Sequence, residues 1–314
     1  MRTIESPPRR MKPHIILTIV LAGCALRAQT GQPDLRFRPV AGGGFEFDTG
    51  VLRGTLRAGG KSEGLTSVVH IPSGKTISGA HGLVGHYRVL AANQRYMPDA
   101  WSLPSDAQLA PDGSVEVHWP AAANRPFEMW AVYRWPAPAA LDVETRVRPQ
   151  EDLKDFESFL ASYFAEPFTS SMVYAKPQKE AFMAAVEANG QWQMFPRDPA
   201  AIRLIEDGRW KHPPNPVEWR IMPRLALPLS VRRDGASGIT ALLMAPAADC
   251  FAVSTPQQAD GHRSLYLSLF GRDIRAGETA RAQARLTIGI FPKEKEILRS
   301  YRAYRDSLAR HPVR

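Results

Sequence analysis

The sequence predicts an all-β protein, a large antiparallel β-sandwich that ends in one C-terminal helix. Segments that alternate apolar and polar residues recur along most of the 314-residue chain, and turns rich in proline and glycine separate them. Helical periodicity is scarce, and no internal repeat or low-complexity tract is visible. Many strands, few helices and no repeat together favour a sandwich.

The clearest β-hairpin has its strands at 127–133 and 141–147. In the second strand every other residue from Leu141 to Val147 is apolar or threonine, and the residues between them are charged. This pattern is typical of a strand with one buried face. Further strands are predicted at 45–48, 51–57, 67–70, 115–119, 156–164, 239–245, 251–255, 264–270 and 280–290. We therefore predict a sandwich domain over 45–291.

Two segments carry a helical pattern. Residues 181–188 are predicted to form one short helix. In 293–308 the apolar residues fall at steps of four, three and four, which gives one apolar stripe: Ile297, Tyr301, Tyr304 and Leu308. Pro292 and Pro312 bracket this stripe and suit the two ends of a helix. The segment 292–314 is thus predicted to hold an amphipathic helix that packs on the sandwich.

The proline-rich stretch 213–216 lies between Trp210 and Trp219. Solvated linkers seldom carry tryptophan, so this stretch is predicted to be an ordered loop over a cleft or a sheet edge.

The N-terminal segment has the layout of a bacterial secretory signal. Basic residues precede an apolar run over 15–23, and this run is too short to span a bilayer, which takes about 20 apolar residues. We predict a signal peptide over 1–28, with Met11 as an alternative start to Met1, and a flexible linker over 29–44. The protein is then exported, as a periplasmic, cell-surface or secreted protein, where ATP and NAD(P)H are scarce, so no cofactor is expected.

Leu21-Ala22-Gly23-Cys24 resembles the lipobox of bacterial lipoproteins, in which the cysteine is acylated. Cys24 is therefore a predicted lipidation site and the one predicted link to a membrane. Cleavage near Ala28, which would discard Cys24, is the alternative. Cys24 and Cys250 are the two cysteines of the chain, so no disulfide is expected in the mature domain, and Cys250 is predicted to be a buried thiol.

Of the net charge of +9, Arg2, Arg9, Arg10, Lys12 and Glu5 of the predicted signal contribute +3. The remaining +6 is spread along the chain without a basic patch, so nucleic acid is not an expected partner. Scattered arginines suit bidentate recognition of carboxylates, as in uronic-acid polymers, although a solvated surface position is the simpler explanation of any single arginine. The sequence has no HExxH motif and no cysteine pair, and its histidines lack ligand spacing, so no metal site is predicted.

Two segments carry a resemblance to a known superfamily. The hairpin that contains Tyr133-Arg134-Trp135-Pro136, followed by Leu160-Ala161-Ser162-Tyr163-Phe164, resembles galactose-mutarotase-like proteins, which include aldose epimerases and polysaccharide lyases. The resemblance implies a β-supersandwich with a cleft that faces carbohydrate. Ala161 stands where mutarotases carry the histidine that acts as general acid, so the resemblance does not extend to that group.

Acid–base chemistry on a sugar needs a proton donor and a proton acceptor on either side of the substrate, helped by a cation. In a regular strand over 85–90, alternation would place His86 and Arg88 on one face. Glu157 lies among large apolar residues, which would raise its pKa. The predicted catalytic residues are His86, Arg88, Glu157, Tyr163 and His262, and the predicted substrate-binding residues are Arg95, Tyr96, Trp101, Trp210 and Arg224.

Each of these residues also fits a structural role, such as a polar edge strand, a turn or core packing. The sequence favours an exported carbohydrate-active protein with epimerase-like or lyase-like chemistry on a sugar or uronate. The alternatives are a non-catalytic carbohydrate-binding protein and a structural envelope protein. The oligomeric state is not predicted.

Overall fold

The computed structural model describes residues 34–92, 94–96 and 98–310. The predicted signal peptide, the lipobox with Cys24 and the first residues of the predicted linker lie outside this part of the chain.

The described residues are mostly strands. In chain order they form β1 (Arg38–Pro39), β2 (Phe45–Asp48), β3 (Leu52–Arg57), β4 (Gly64–His70), β5 (Lys75–Thr76), β6 (Gly85–Ala91), β7 (Gln94–Arg95), β8 (Asp106–Leu109), β9 (Val115–Trp119), β10 (Phe127–Ala137), β11 (Ala140–Pro149), β12 (Leu153–Tyr163), β13 (Ser170–Ala175), β14 (Ala181–Ala184), β15 (Trp192–Pro196), α1 (Pro199–Glu206), β16 (Arg220–Ile221), β17 (Leu225–Arg233), β18 (Ile239–Met244), β19 (Cys250–Pro256), β20 (Ser264–Ile274), β21 (Ala280–Ile290) and α2 (Glu294–Arg310).

These strands form three sheets. The nine-stranded sheet has the order β14-β13-β17-β18-β21-β11-β10-β9-β8, and the seven-stranded sheet has the order β16-β15-β19-β20-β12-β6-β7. The third sheet has five strands, β1 to β5, in sequence order. The pairing is antiparallel except between β15 and β16. The predicted all-β antiparallel sandwich with a C-terminal helix is therefore confirmed.

The main core lies between the nine-stranded and seven-stranded sheets. Strand β11 shows how the sequence builds it, because Leu141, Val143 and Val147 are fully buried while the charged residues between them face outward. The predicted hairpin of β10 and β11 is confirmed, with Met129 opposite Val147. Cys250 lies in this core, and burial raises the pKa of its thiol to about 12, so the predicted buried thiol is confirmed.

Helix α2 covers the outer face of the nine-stranded sheet. Its buried residues are Ile297, Tyr301 and Tyr304, as the apolar stripe predicted, and they pack against β17 and β18. The Tyr301 hydroxyl donates a hydrogen bond of 3.1 Å to the carbonyl oxygen of Ala245. No helix in the ranges that the structure describes is long and apolar enough to cross a membrane.

Two sequence-based predictions of local structure are wrong. Residues 181–188 do not form a helix: β14 occupies Ala181–Ala184 and pairs with β13 at the edge of the nine-stranded sheet, where Phe182 packs on Tyr174 at 4.9 Å between ring centroids. The flexible linker predicted over 29–44 also extends too far toward the C-terminus. Phe37 is 1% exposed in the main core, and β1 pairs with β2, so the fold begins before residue 45.

The backbone at the start of β4 lies very close to the backbone at the start of β6. Gly64 opens β4 at a φ of +81°, and a Cβ atom there would lie 2.2 Å from the carbonyl oxygen of Leu83. A Cβ on Gly85 would lie 2.5 Å from the carbonyl oxygen of Glu63. Both positions require glycine, and together they fix the start of β6.

Candidate functional site

A cavity of about 410 Å³ opens on the outer face of the seven-stranded sheet. Residues of β12 alternate between two environments: Leu160 faces the main core, and Phe159 and Tyr163 face outward. The floor of the cavity consists of aromatic side chains from β6, β12 and β20: Tyr87, Phe159, Tyr163 and Tyr266. We call this space the aromatic cavity.

Four tryptophans form the walls of the aromatic cavity: Trp101, Trp192, Trp210 and Trp219. Trp192 comes from the strand β15, Trp210 lies in a short 3-10 helix over Arg209–Lys211, and Trp101 and Trp219 come from loops. Trp219 packs edge-to-face on Trp192 at 5.9 Å and on Trp210 at 5.3 Å between ring centroids. Trp101 and Trp210 are among the predicted substrate-binding residues, and the fold brings them to one cavity with Trp192 and Trp219.

A β-bulge in β6 decides which of its side chains reach the cavity. His86 pairs with Leu160 and Arg88 pairs with Phe159, so Tyr87 is an extra residue in β6. A bulge of this kind breaks the alternation of side chains along a strand. Arg88 therefore shares the cavity face with Phe159, whereas His86 shares the core face with Leu160.

A stack of three rings forms one side of the cavity. The Trp101 ring lies nearly parallel to the Tyr87 ring, with 4.5 Å between centroids, and to the His81 ring, with 5.5 Å between centroids. The His81 ring also meets Tyr163 edge-to-face at 5.1 Å. Contacts of this type stabilise aromatic pairs beyond the area they bury, so this wall is preformed.

A buried ion pair supports the wall of the cavity that contains Trp210. Arg209, which precedes Trp210, is fully buried and its Nη1 lies 3.1 Å from Glu157 Oε2. The same nitrogen donates to the carbonyl oxygen of Asp155 at 3.0 Å, and Nη2 donates to Asp207 Oδ2 at 2.8 Å. These bonds hold Trp210 against Phe159, with 4.8 Å between their ring centroids.

Arg88 is the buried cation of the cavity. Its side chain is 2% exposed, and its guanidinium lies 5.1 Å from the ring centroid of Tyr87 and 5.0 Å from that of Trp210. Nη2 donates to the carbonyl oxygen of Asn215 at 2.6 Å. Nε and Nη1 have no hydrogen-bond partner.

The proline-rich loop closes one side of the cavity. Residues 212–217, which we call the strap, contribute Pro214, Asn215 and Pro216 to the lining. Arg95 donates to the carbonyl oxygens of His212, Pro214 and Pro98, and so connects the strap to the neighbouring loop. The predicted ordered loop over a cleft is confirmed.

Hydroxyl groups meet on the floor. Ser264 Oγ donates to the hydroxyl of Tyr266 at 2.6 Å. Burial raises the pKa of Tyr266 to about 12, and burial together with the adjacent Tyr266 raises the pKa of Tyr163 far above its usual value. Both phenols therefore keep their protons at neutral pH and act as hydrogen-bond donors.

His262 stands at the rim and is oriented by a carboxylate. Its Nδ1 lies 2.7 Å from Asp260 Oδ1, and its ring meets Trp192 edge-to-face at 4.9 Å. Asp260 also accepts a bond of 2.9 Å from Gln191 Nε2. Burial works against ionisation of Asp260, but the bonds from Gln191 and His262 hold its pKa below the usual value. This arrangement leaves Nε2 of His262 for proton exchange.

Solved structures of other proteins resemble this chain in fold over most of its length. A putative aldose 1-epimerase from Escherichia coli K12 is 10% identical, with a TM-score of 0.43 over 79% of this chain and 99% of that one. The Slr1438 protein from Synechocystis sp. PCC 6803 is 12% identical, with a TM-score of 0.49 over 83% of this chain and 99% of that one.

Heparan sulfate lyase HepC from Pedobacter heparinus, solved as a mutant, is 8% identical, with a TM-score of 0.47 over 83% of this chain and 37% of that one. No protein-family model and no curated protein sequence matches the chain. The likeness is one of fold.

His86 lies in the main core, outside the aromatic cavity. It is fully buried, and its Nδ1 lies 2.9 Å from Ser158 Oγ and its Nε2 lies 3.2 Å from Thr145 Oγ1. Thr145 belongs to the nine-stranded sheet, so His86 connects the two sheets. The prediction that His86 and Arg88 share a face is wrong because of the bulge at Tyr87.

Glu157 is also absent from the cavity lining. It projects from the outer face of β12 and is covered by the segment that carries Arg209 and Trp210. Burial raises the pKa of Glu157, as the sequence predicted, and the guanidinium of Arg209 opposes that rise. Its visible role is to anchor the Trp210 wall.

Some of the remaining predicted residues line the cavity and others do not. Those that line it with Arg88 are Trp101, Trp210, Tyr163 and His262. Arg95 is not in the lining but donates hydrogen bonds to the strap. Tyr96 is 5% exposed in the main core, where it packs edge-to-face on Phe127 at 5.1 Å. Arg224 is exposed and outside the cavity.

Sequence reasoning overlooked two contributors to the site. His81 is not among the predicted residues, although the glycines around it signal a loop at a sheet edge. Asp260 is not among them either, and the turn that it forms aims its carboxylate at His262. Across the described ranges no group of three or more His, Cys, Asp or Glu side chains is arranged to hold a metal ion.

Proposed function

We propose that this protein binds a carbohydrate in the aromatic cavity and acts on it by acid–base chemistry. The observation that carries the proposal is the lining, in which aromatic rings form the floor and walls of a cavity of about 410 Å³. Aromatic rings bind the C–H faces of sugars by stacking, and a few polar groups among them fix the orientation. Here those groups include Arg88, Tyr163 and His262.

The acid–base part of the proposal rests on His262. Asp260 orients its imidazole, and an oriented imidazole can take a proton from a substrate and return it. Tyr163 and Tyr266 would donate hydrogen bonds, and Arg88 would stabilise negative charge that develops on the substrate. This assignment replaces the pair His86 and Glu157, which lie outside the cavity.

Non-catalytic carbohydrate binding is the second candidate function. It is favoured by one observation: two of the predicted proton-transfer groups, His86 and Glu157, form structural contacts outside the cavity. A His262→Gln variant separates the candidates, because an enzyme would lose turnover and keep its sugar affinity. A binding protein would show no turnover with any sugar that binds the parent protein.

Replacing Trp219 with alanine is expected to weaken sugar binding by about tenfold or more, because a truncated aromatic anchor typically costs at least 1 to 2 kcal/mol of binding energy. Isothermal titration calorimetry against a panel of neutral and acidic monosaccharides measures the effect. Trp130→Ala is the matched control, since Trp130 is also half-buried but lies on the nine-stranded sheet. Equal affinities for both variants and the parent would exclude the aromatic cavity as the sugar site.

The protein is proposed to work outside the cytoplasm. The support is the N-terminal pattern of basic residues, short apolar run and Leu21-Ala22-Gly23-Cys24. Acylation of Cys24 would tether the sandwich to a membrane by its N-terminus. The intact mass of the protein isolated from cells distinguishes an acylated Cys24 from cleavage near Ala28 and from an uncleaved chain.

A further inference from the structure

We infer that the aromatic cavity selects a carboxylate-bearing sugar, whose carboxylate pairs with Arg88 in place of the carbonyl oxygen of Asn215. The inference rests on the proposed function and narrows its substrate class. Arg88 is a buried cation without a counter-charge: its side chain is 2% exposed, and no acidic side chain in the described residues forms an ion pair with it.

The hydrogen bonds of Arg88 are equally incomplete. A guanidinium carries five N–H donors, and Nε and Nη1, which together carry three of them, have no acceptor. The one acceptor present is the neutral carbonyl oxygen of Asn215, 2.6 Å from Nη2. A buried cation without a counter-charge is costly, so an anionic partner would be strongly favoured at this position.

The surroundings of Arg88 leave one direction for such a partner. Tyr87 and Trp210 lie against its guanidinium at 5.1 and 5.0 Å from their ring centroids, and the strap lies at Nη2. Nε and Nη1 are shielded from bulk water. An incoming group therefore reaches the guanidinium from within the cavity by displacing Asn215, which is exposed and belongs to a loop.

The geometry of the donors favours a carboxylate among anions. A planar carboxylate accepts two parallel N–H bonds from one edge of a guanidinium, and the ring faces beside Arg88 restrict access to that plane. The same carboxylate attached to a sugar ring would leave the ring against Trp210 and Tyr163. A uronate combines the two features in one molecule.

Calorimetry of the full chain with matched sugar pairs tests the inference. D-galacturonate and D-glucuronate are compared with D-galactose and D-glucose, which differ only in having a hydroxymethyl group for the carboxylate. We expect the acids to bind about tenfold or more tightly, the advantage typical of a charge-assisted bond to a buried group. Equal or weaker binding of the acids would overturn the inference and leave the proposed function standing.

Variants of Arg88 give an independent measure. Arg88→Gln is expected to remove the preference for the acid while binding of the neutral sugar persists, and Arg88→Lys to lose most of the preference because it lacks the planar fork. Arg224→Gln is the matched control, an exposed arginine outside the cavity. An acid preference that survives in Arg88→Gln would overturn the role of Arg88.

Two further outcomes are decisive. Tighter binding of D-glucose 6-phosphate than of D-glucuronate would contradict the carboxylate. If no sugar of either kind binds the parent protein, the proposed function fails together with the inference. Should Arg88→Gln not fold, the comparison of acids with neutral sugars on the parent protein still decides.

Discussion

Replacing Arg209 with methionine is expected to lower the free energy of unfolding by about 3 to 5 kcal/mol at neutral pH. Glu157 has no exposed surface, and its Oε2 lies 3.1 Å from Nη1 of Arg209. The substitution would leave this buried carboxylate without a counter-charge. Urea denaturation monitored by circular dichroism measures the change in the free energy of unfolding.

A double-mutant cycle identifies the ion pair as the cause. Glu157→Leu combined with Arg209→Met removes both charges, and the double variant should be more stable than Arg209→Met alone, because no unpaired charge is left. The loss in Arg209→Met should also shrink at lower pH, since protonation of Glu157 then removes its buried charge. A loss below about 1 kcal/mol would mean that the pair does not anchor the Trp210 wall.

Acidification from pH 6.5 to 4 is expected to cost about 3 kcal/mol of stability through His86 alone. Burial lowers the pKa of His86 to about 4 from an ordinary 6.5, and each tenfold change in a protonation equilibrium corresponds to about 1.4 kcal/mol. The unfolded chain binds the proton at a higher pH than the folded one. The contribution is therefore complete above pH 6.5 and is lost as the pH falls toward 4.

His86→Gln isolates this contribution. Glutamine supplies both a donor and an acceptor for Ser158 and Thr145 but does not titrate in this range. We expect the stability of the variant to change less than that of the parent between pH 6.5 and 4, when both are measured by urea denaturation. Parallel pH profiles for the two proteins would show that His86 is not a buried neutral group.

The strand pattern was predictable because its causes are local. Alternation from Leu141 to Val147 follows from one buried and one exposed face, and the stripe from Ile297 to Leu308 follows from a helix on a sheet. Ala181 to Ala184 differ, because pairing with β13 outweighs their helix propensity. Helix α1 had a local signal, since Asp198 caps it and Pro199 opens it, but eight residues are too few to show a clear period.

The candidate site was predictable in composition and less so in geometry. Arg88, Trp101, Tyr163 and His262 could be named from residue type, yet the face of His86 depends on a bulge at Tyr87 that pairing with β12 creates. No periodicity in β6 encodes that extra residue. The partner of Glu157, 52 residues away in the chain, is likewise visible only once the loop containing Arg209 packs on the sheet.

The indole N–H signals of the seven tryptophans show whether the aromatic cavity holds the sugar. In a ¹⁵N-labelled sample titrated with D-glucuronate, we expect the signals of Trp101, Trp192, Trp210 and Trp219 to shift. Those of Trp119, Trp130 and Trp135, which lie outside the cavity, should stay in place. Saturable shifts confined to Trp130, or no shift of any indole signal with acidic or neutral sugars, would mean that the aromatic cavity does not bind the sugar.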